Sequence, residues 1–272
     1  MSGDIMSEPS STGKNYRKVF SVINAQTVST VIARYAISLA AACKAELVLY
    51  AAHEEDCHAT DRHLEHLVTV ASGLGIPVTR ITESGDISRL LPKRVQMEKA
   101  DLVFYPLTPC KPYGDDLQRR IVSHLLRTVS SDLAIMRAIS MGKPHPRHIL
   151  VPLGKTISDS ERRLQFVARL AGSFHAQVTL YHLLAARDVK AMPDVVAQFG
   201  KQLQELDIKV LERSGSGLLG KAITVEAITR HNDLIILGAS ERGVLRKMFF
   251  GNPAGDVMQQ PPCNAILFRA AL

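Results

Sequence analysis

Residues 100–105 read A-D-L-V-F-Y and residues 232–237 read N-D-L-I-I-L. Both are nearly continuous apolar runs next to an aspartate, a pattern that indicates strands covered on both faces of a parallel sheet. Three more pairs of segments match in the same order: Arg17–Asn24 with Arg147–Gly154, Ala45–Tyr50 with Ala176–Tyr181, and Asp132–Arg137 with Asn264–Arg269. The chain therefore contains one internal repeat.

The repeat predicts two related domains, at 15–142 and 143–272, after a flexible polar tail at 1–14. The stretch Gly142–Arg147, G-K-P-H-P-R, has the glycine and prolines of a linker. In the second half, apolar runs predict strands at His148–Leu153, Gln177–Leu183, Ile208–Glu212, Asp233–Leu237 and Asn264–Phe268.

Helical patterns separate these strands. Ser158 and Glu161 have the spacing of a capping box, which predicts a helix that opens at Ser158. Its apolar face comprises Leu164, Val167, Ala168, Ala171 and Phe174, and the first half repeats that face with Val31, Tyr35, Ala36, Leu39 and Ala40. The alternation predicts an α/β fold in which each half is a doubly wound, five-stranded parallel sheet.

Composition narrows the classes of function. The 272 residues carry a net charge of +7, but the basic residues are dispersed, aromatic residues make up only 5% and tryptophan is absent. We therefore expect no nucleic-acid partner. No apolar run reaches the length of a membrane span. The four cysteines are scattered and the N-terminus does not resemble a signal peptide, which favours the cytoplasm and reduced thiols.

The glycine-rich stretch Ser214–Ala222, S-G-S-G-L-L-G-K-A, satisfies two phosphate-loop patterns, G-x-G-x-x-G and G-x-x-x-x-G-K. It follows a charged strand that we expect at the periphery, whereas phosphate loops follow buried central strands. Ala222 also stands where a Ser or Thr hydroxyl would hold Mg²⁺. We interpret the stretch as a turn into a helix, and keep a nucleotide enzyme that uses Gly215–Lys221 as an alternative.

A second candidate site is Leu237–Gly255, which follows the buried fourth strand. Gly238 at the strand end would let a ligand approach the bare backbone. Asn252 and Pro253 form a helix N-cap and first-turn pair, and a helix N-terminus attracts anions. Arg242, Arg246 and Lys247 add positive charge. These parts are typical of a nucleotide phosphate site.

Here the sequence resembles the universal stress protein family, whose ATP-binding members carry G-x2-G-x9-G-[S/T] after the fourth strand. Gly238 and Gly251 match the first and third glycines, Glu241 replaces the second, and Asn252 replaces the Ser/Thr. Gly154 replaces the aspartate that ends the family's first strand and meets adenine. The tail Q-P-P-C-N-A-I-L-F-R is similar to the family's last strand.

The resemblance implies an ATP site in the second half, with no metal beyond the Mg²⁺ that the nucleotide carries. The implied site residues are Pro152, Leu153, Gly154, His182, Leu183, Gly238, Ala239, Glu241, Arg242, Gly251, Asn252 and Pro253. It also implies that the last strands of the two halves pair as an internal pseudo-dimer, and that two chains associate as a homodimer.

The first half has lost the glycines of the motif. In the register that aligns Asp101 with Asp233, Pro106 stands at Gly238 and Pro109 at Glu241, while Arg119 and Arg120 stand at Gly251 and Asn252. Because proline removes backbone donors and arginine fills space, we expect no ATP binding of the family's kind in this half.

No catalytic constellation stands out, so the sequence predicts a non-enzymatic stress-response regulator or protective protein. His53, His58, His63 and His66 cluster with Cys57, but their spacing favours a solvated face over a metal site. Cys263 is interpreted as a packed residue at a strand start. A partner-binding module with both pockets degenerate remains a further alternative to the ATP-binding protein.

Overall fold

The computed structural model describes residues 15–53, 58–108, 116–140, 145–184, 192–239, 257–258 and 260–272. The predicted tail at 1–14 and residues 142–144 of the predicted linker therefore lie outside the described residues. None of the helices in these ranges is long and apolar enough to cross a membrane.

The described part of the first half alternates five strands with four helices. In order these are β1 (Lys18–Val22), α1 (Thr27–Cys43), β2 (Glu46–His53), α2 (His58–Gly73), β3 (Val78–Ser84), α3 (Ile87–Met97), β4 (Leu102–Pro106), α4 (Asp116–Thr128) and β5 (Asp132–Arg137). Every residue of β4 and β5 is buried, as expected for strands covered on both faces.

The second half repeats the alternation. Its elements are β6 (His148–Leu153), α5 (Ser160–Phe174), β7 (Gln177–Leu183), α6 (Asp194–Glu205), β8 (Val210–Gly215), α7 (Leu219–Thr229), β9 (Leu234–Gly238) and β10 (Asn264–Arg269). The predicted strands agree with β6 and β7 and lie close to β9 and β10. The third was placed too early, because Ile208 closes the turn after α6 through a hydrogen bond to Leu203, and pairing with β7 continues to Gly215.

The strands form one ten-stranded sheet in the order β3-β2-β1-β4-β5-β10-β9-β6-β7-β8. Neighbours within each half are parallel, which confirms the predicted α/β fold. β5 and β10 pair antiparallel through five residue pairs, from Arg137–Ala265 to Leu133–Arg269. The predicted pairing of the last strands is thus confirmed, and it joins the two five-stranded halves into a single sheet.

The two halves repeat each other in detail. Asp101 accepts hydrogen bonds from the backbone N–H groups of residues 17 and 18, and Asp233 accepts the same bonds from residues 147 and 148. α1 and α5 both end at a left-handed residue, Lys44 and His175. These shared contacts align the halves with an offset of about 131 residues, so that positions in one half can be compared with the other.

The apolar faces predicted for the two repeated helices are buried, with Phe174 half-buried. α5 packs Phe166 between Phe104 of β4 and Phe268 of β10, with ring centroids 6.3 and 4.3 Å away. The predicted capping box is wrong: α5 begins at Ser160, and Asp159 before it is left-handed with φ 49° and forms no side-chain cap. That residue turns the backbone, which leaves Ser158 outside the helix start.

Asp132 ties the two halves together beside the β5–β10 pair. Its buried carboxylate accepts hydrogen bonds from the Tyr16 hydroxyl at 2.9 Å, from Arg162 Nη1 at 2.9 Å and from the Ala271 N–H at 2.7 Å. Burial, followed by this carboxylate, holds the pKa of Tyr16 well above its usual range, so the phenol remains a donor. One carboxylate therefore joins residues from both halves.

We expect Asp132→Ala to lower the free energy of unfolding by about 2–4 kcal/mol, because the buried Tyr16 hydroxyl, the Arg162 guanidinium and the Ala271 N–H all lose their acceptor. Urea unfolding of the full chain measures it. Asp61→Ala is the matched control: it removes an exposed ion pair with Arg80 and is expected to change the unfolding free energy by less than about 1 kcal/mol. Equal losses in the two variants would contradict the assigned role of Asp132.

Candidate functional site

A cavity of about 380 Å³ lies at the carboxyl ends of β6, β7 and β9 in the second half. This is the topological switch point of that half, since β6 pairs with β7 on one side and with β9 on the other. Seven of the predicted site residues line the cavity: Pro152, Leu153, Gly154, His182, Leu183, Gly238 and Ala239. The other five, Glu241, Arg242, Gly251, Asn252 and Pro253, lie outside the described residues, as do Arg246 and Lys247.

The wall of the cavity is largely apolar. α7 contributes Leu219 and Ile223, β9 contributes Leu237, and β10 with its following residue contributes Phe268 and Ala270. Such a wall suits a flat or aliphatic ligand body, while a few polar groups would fix its orientation. None of these five residues was predicted, because apolar side chains at strand and helix ends look like ordinary core positions in a sequence.

His182 provides one of those polar groups. Its side chain is buried, and Nδ1 lies 2.9 Å from the carbonyl oxygen of Leu153. Because a carbonyl oxygen can only accept, we assign the ring hydrogen to Nδ1. Nε2 has no hydrogen-bond partner among the described residues. In the neutral ring it is an unused acceptor.

Arg163 of α5 provides a second polar group in the cavity, and it was not among the residues predicted from the sequence. Its side chain is only 8% exposed and lines the cavity. Nη2 donates to the carbonyl oxygen of Pro152 at 3.0 Å and approaches that of Ile236 at 3.5 Å, while Nε has no acceptor. In the described part of the chain no carboxylate pairs with it, and burial lowers the pKa of the guanidinium to about 10.

The guanidinium of Arg163 occupies the space beside the backbone of Gly238. A Cβ atom at that position would lie 2.5 Å from Arg163 Nη1 and 2.8 Å from Cζ. The bare backbone that was predicted to admit a ligand therefore already accommodates the guanidinium. A ligand near Gly238 would meet the arginine as well as the glycine.

The first half shows what this position looks like without a charge. The alignment of the two halves places Ile32 of α1 at Arg163, and Ile32 is fully buried in the apolar core. Pro106 ends β4 as Gly238 ends β9: the following residues, Leu107 and Ala239, donate equivalent hydrogen bonds to β5 and β10. The fold therefore accepts an isoleucine and a proline where the second half has an arginine and a glycine.

A sequence signal for Arg163 did exist. Arg163 precedes Phe166 and Val167 by three and four residues, so it falls on the buried face of the predicted helix. A charged residue on an apolar face is uncommon and marks a candidate functional position. The matching isoleucine in the first half strengthens the signal.

The competing phosphate-loop candidate lies at the edge of the sheet. It connects β8, an outer strand as predicted, to α7, and Lys221 is exposed on that helix outside the cavity wall. Gly215 packs against the Tyr181 hydroxyl, which leaves no room for a Cβ. Packing against Tyr181 therefore explains the glycine at position 215 without a bound phosphate.

The remaining sequence candidates do not converge on a second site within the described ranges. Arg119 and Arg120 lie in α4, whereas Pro109, Cys57 and Cys110 lie outside the described residues, as does the side chain of His53. His63 Nδ1 contacts the Asn24 carbonyl oxygen at 3.0 Å, and no described group of three His, Cys, Asp or Glu side chains could hold a metal ion. Burial raises the pKa of the Cys263 thiol to about 12, which keeps it unreactive.

Residues 145–269 match the model of the universal stress protein family. No curated protein sequence matches the chain.

Solved structures match almost the whole chain. A universal stress protein from Archaeoglobus fulgidus is 13% identical, with a TM-score of 0.66 over 93% of this chain and 96% of that one. A protein of unknown function from Pseudomonas aeruginosa is 14% identical, with a TM-score of 0.64 over 94% and 93%. The cytoplasmic domain of a prokaryotic cation chloride cotransporter is 11% identical, with a TM-score of 0.62 over 94% and 95%. At these identities the likeness establishes the fold of both halves.

We expect Gly238→Ala to lower the free energy of unfolding by about 1–3 kcal/mol, because the added methyl group forces the guanidinium to move. In an Arg163→Ile background, which reproduces the Ile32 arrangement, the same change should be nearly neutral. Arg163→Ile alone should leave stability unchanged or raise it, since it removes a buried unpaired charge. Denaturant unfolding of the four chains gives the coupling energy. An equal cost of Gly238→Ala in both backgrounds would refute this contact.

Proposed function

We propose that this protein is a cytoplasmic stress-response regulator or protective protein that binds an adenine nucleotide. Its C-terminal half matches the universal stress protein family. The family match supports the role in stress response. The observation that carries the nucleotide proposal is the cavity at the switch point of the second half. It lies where ligands bind in open α/β sheets, and seven residues expected at a nucleotide site meet there.

The base end of the nucleotide would lie among Leu153, His182 and Leu183. Gly154 lacks the carboxylate that the resemblance leads us to expect for adenine. His182 Nε2 offers a replacement, because an unused acceptor can receive a hydrogen bond from the amino group of the base. The apolar side chains of the cavity wall would cover the ring faces.

The phosphate end would be formed by the segment that follows Ala239. We expect Gly251 and Asn252 to approach the phosphates, with the N-terminus of the helix after Pro253 and the side chain of Arg242 adding positive charge. Mg²⁺ would arrive with ATP rather than occupy a protein site of its own.

An alternative function is a partner-binding module without a nucleotide. The guanidinium beside Gly238 supports it, because it takes up space that a nucleotide would otherwise use. In either case, association of two chains would need another surface, since the last strands β5 and β10 already pair within the chain.

Equilibrium binding of labelled ATP to the full chain tests the nucleotide proposal. We expect saturable binding at millimolar nucleotide or below. Gly251→Arg, which copies Arg119 of the first half, should abolish it, and Lys221→Ala should leave it unchanged. The absence of saturable binding would favour the partner-binding module. Loss in Lys221→Ala with retention in Gly251→Arg would instead favour the Gly215–Lys221 phosphate loop.

Gly154→Asp should strengthen ATP binding by roughly tenfold, because it restores a charged acceptor for the adenine amino group. The position tolerates a side chain: it is exposed, and a Cβ would lie 3.5 Å from the nearest atom, the Thr156 carbonyl oxygen. Gly154→Ala is the matched control and should leave affinity unchanged, and inorganic triphosphate, which has no base, should gain nothing from the aspartate. The absence of any gain for ATP in Gly154→Asp would show that the base does not lie at this end.

A further inference from the structure

Arg163 is a charged side chain that the fold buries without a counter-ion among the described residues, and it lines the cavity. The charged residues Lys155 and Asp159 also line the cavity, but both are exposed at its mouth. The carbonyl oxygen of Asp159 accepts the helical hydrogen bond from the Arg163 backbone N–H, and within the described ranges its carboxylate forms no ion pair with the guanidinium. Burying an unpaired charge is unfavourable, so a compensating group is expected.

The fold itself does not require the arginine. Ile32 fills the same position of α1 in the first half, fully buried among apolar side chains. Gly238, whose counterpart in the first half is Pro106, has no side chain and therefore leaves room for the guanidinium. Two neighbouring positions of the second half are thus arranged around one positive charge, in a place that opens into a cavity.

We infer that this cavity binds its ligand through an anionic group, a carboxylate or a phosphate, that docks on the guanidinium of Arg163. His182 Nε2 would accept a hydrogen bond from an N–H or O–H group of the same ligand. The inference rests on the proposed function only in using the same cavity, and it holds for a small organic acid as well as for a nucleotide.

The geometry prepares the guanidinium for this role. The carbonyl oxygens of Pro152 and Ile236 hold Nη2, so the planar group is oriented before a ligand arrives. Nε has no hydrogen-bond partner among the described residues and Nη1 lies beside Gly238, which leaves donors for an oxyanion. Charge-assisted hydrogen bonds in a largely apolar enclosure are stronger than those at a surface, and arginine presents a fork that suits both carboxylate and phosphate.

The test compares the full-length chain with Arg163→Ile and Arg163→Lys, using inorganic phosphate, succinate, ATP and adenosine as probes. Thermal unfolding and titration calorimetry report binding, with sodium chloride at matched ionic strength as the salt control. Lys221→Ala removes one exposed positive charge outside the cavity and controls for net charge. Arg163→Lys keeps the positive charge but loses the planar donor arrangement of the guanidinium. It also keeps the inference testable if Arg163→Ile fails to fold.

We expect phosphate or succinate to raise the thermal stability of the natural chain and of Lys221→Ala. Arg163→Ile should gain no more stability from these anions than from sodium chloride at the same ionic strength. Arg163→Lys should bind about tenfold more weakly than the natural chain. Binding by phosphate alone would identify a phosphate site, and binding by succinate alone a carboxylate site.

The outcomes separate the two proposals. If a small acid binds through Arg163 but neither ATP nor adenosine binds, the inference stands and the nucleotide proposal falls. If ATP binds equally to the natural chain and to Arg163→Ile, the inference is overturned while the nucleotide proposal survives. Equal stabilisation of all variants by the anions, or no response of the natural chain to any of them, would also overturn it.

Discussion

The antiparallel pairing of β5 with β10 is the constraint on which the rest of the molecule depends. Each half ends in a fully buried strand, and five residue pairs join the two strands at the centre of the sheet. Buried strand edges must satisfy their backbone hydrogen bonds, so neither half could expose this edge to water without loss of stability. Asp132 strengthens the junction by binding side-chain and backbone donors from both halves.

Around this junction the two halves keep the same framework and differ at the carboxyl ends of their strands. Arg163 and Gly238 in the second half correspond to Ile32 and Pro106 in the first. In a symmetric homodimer every substitution appears in both subunits, whereas a fused chain can change one half and keep the other. At this position the second half thus carries a buried charge where the first half has an isoleucine, as expected where stability is given up for binding.

Much of the fold could be predicted from the sequence, because apolar runs and the repeat both record burial. The register set by Asp101 and Asp233 is reproduced by identical hydrogen bonds. The capping box failed because a left-handed residue before α5 overrides the local pattern. Arg163 was missed because motif matching favours glycines in loops, whereas this charge lies on the apolar face of a helix.

Joining the two halves in one chain also determines which strands lie at the outer edges of the sheet. With β5 and β10 covered, β3 and β8 are the outermost strands of the ten. Both interrupt their apolar residues with charges, Arg80 and Glu83 on one edge and Glu212 and Arg213 on the other. Charged edge strands resist the addition of further strands, so the chain is protected against edge-to-edge aggregation even though its centre is a long, apolar and continuous sheet.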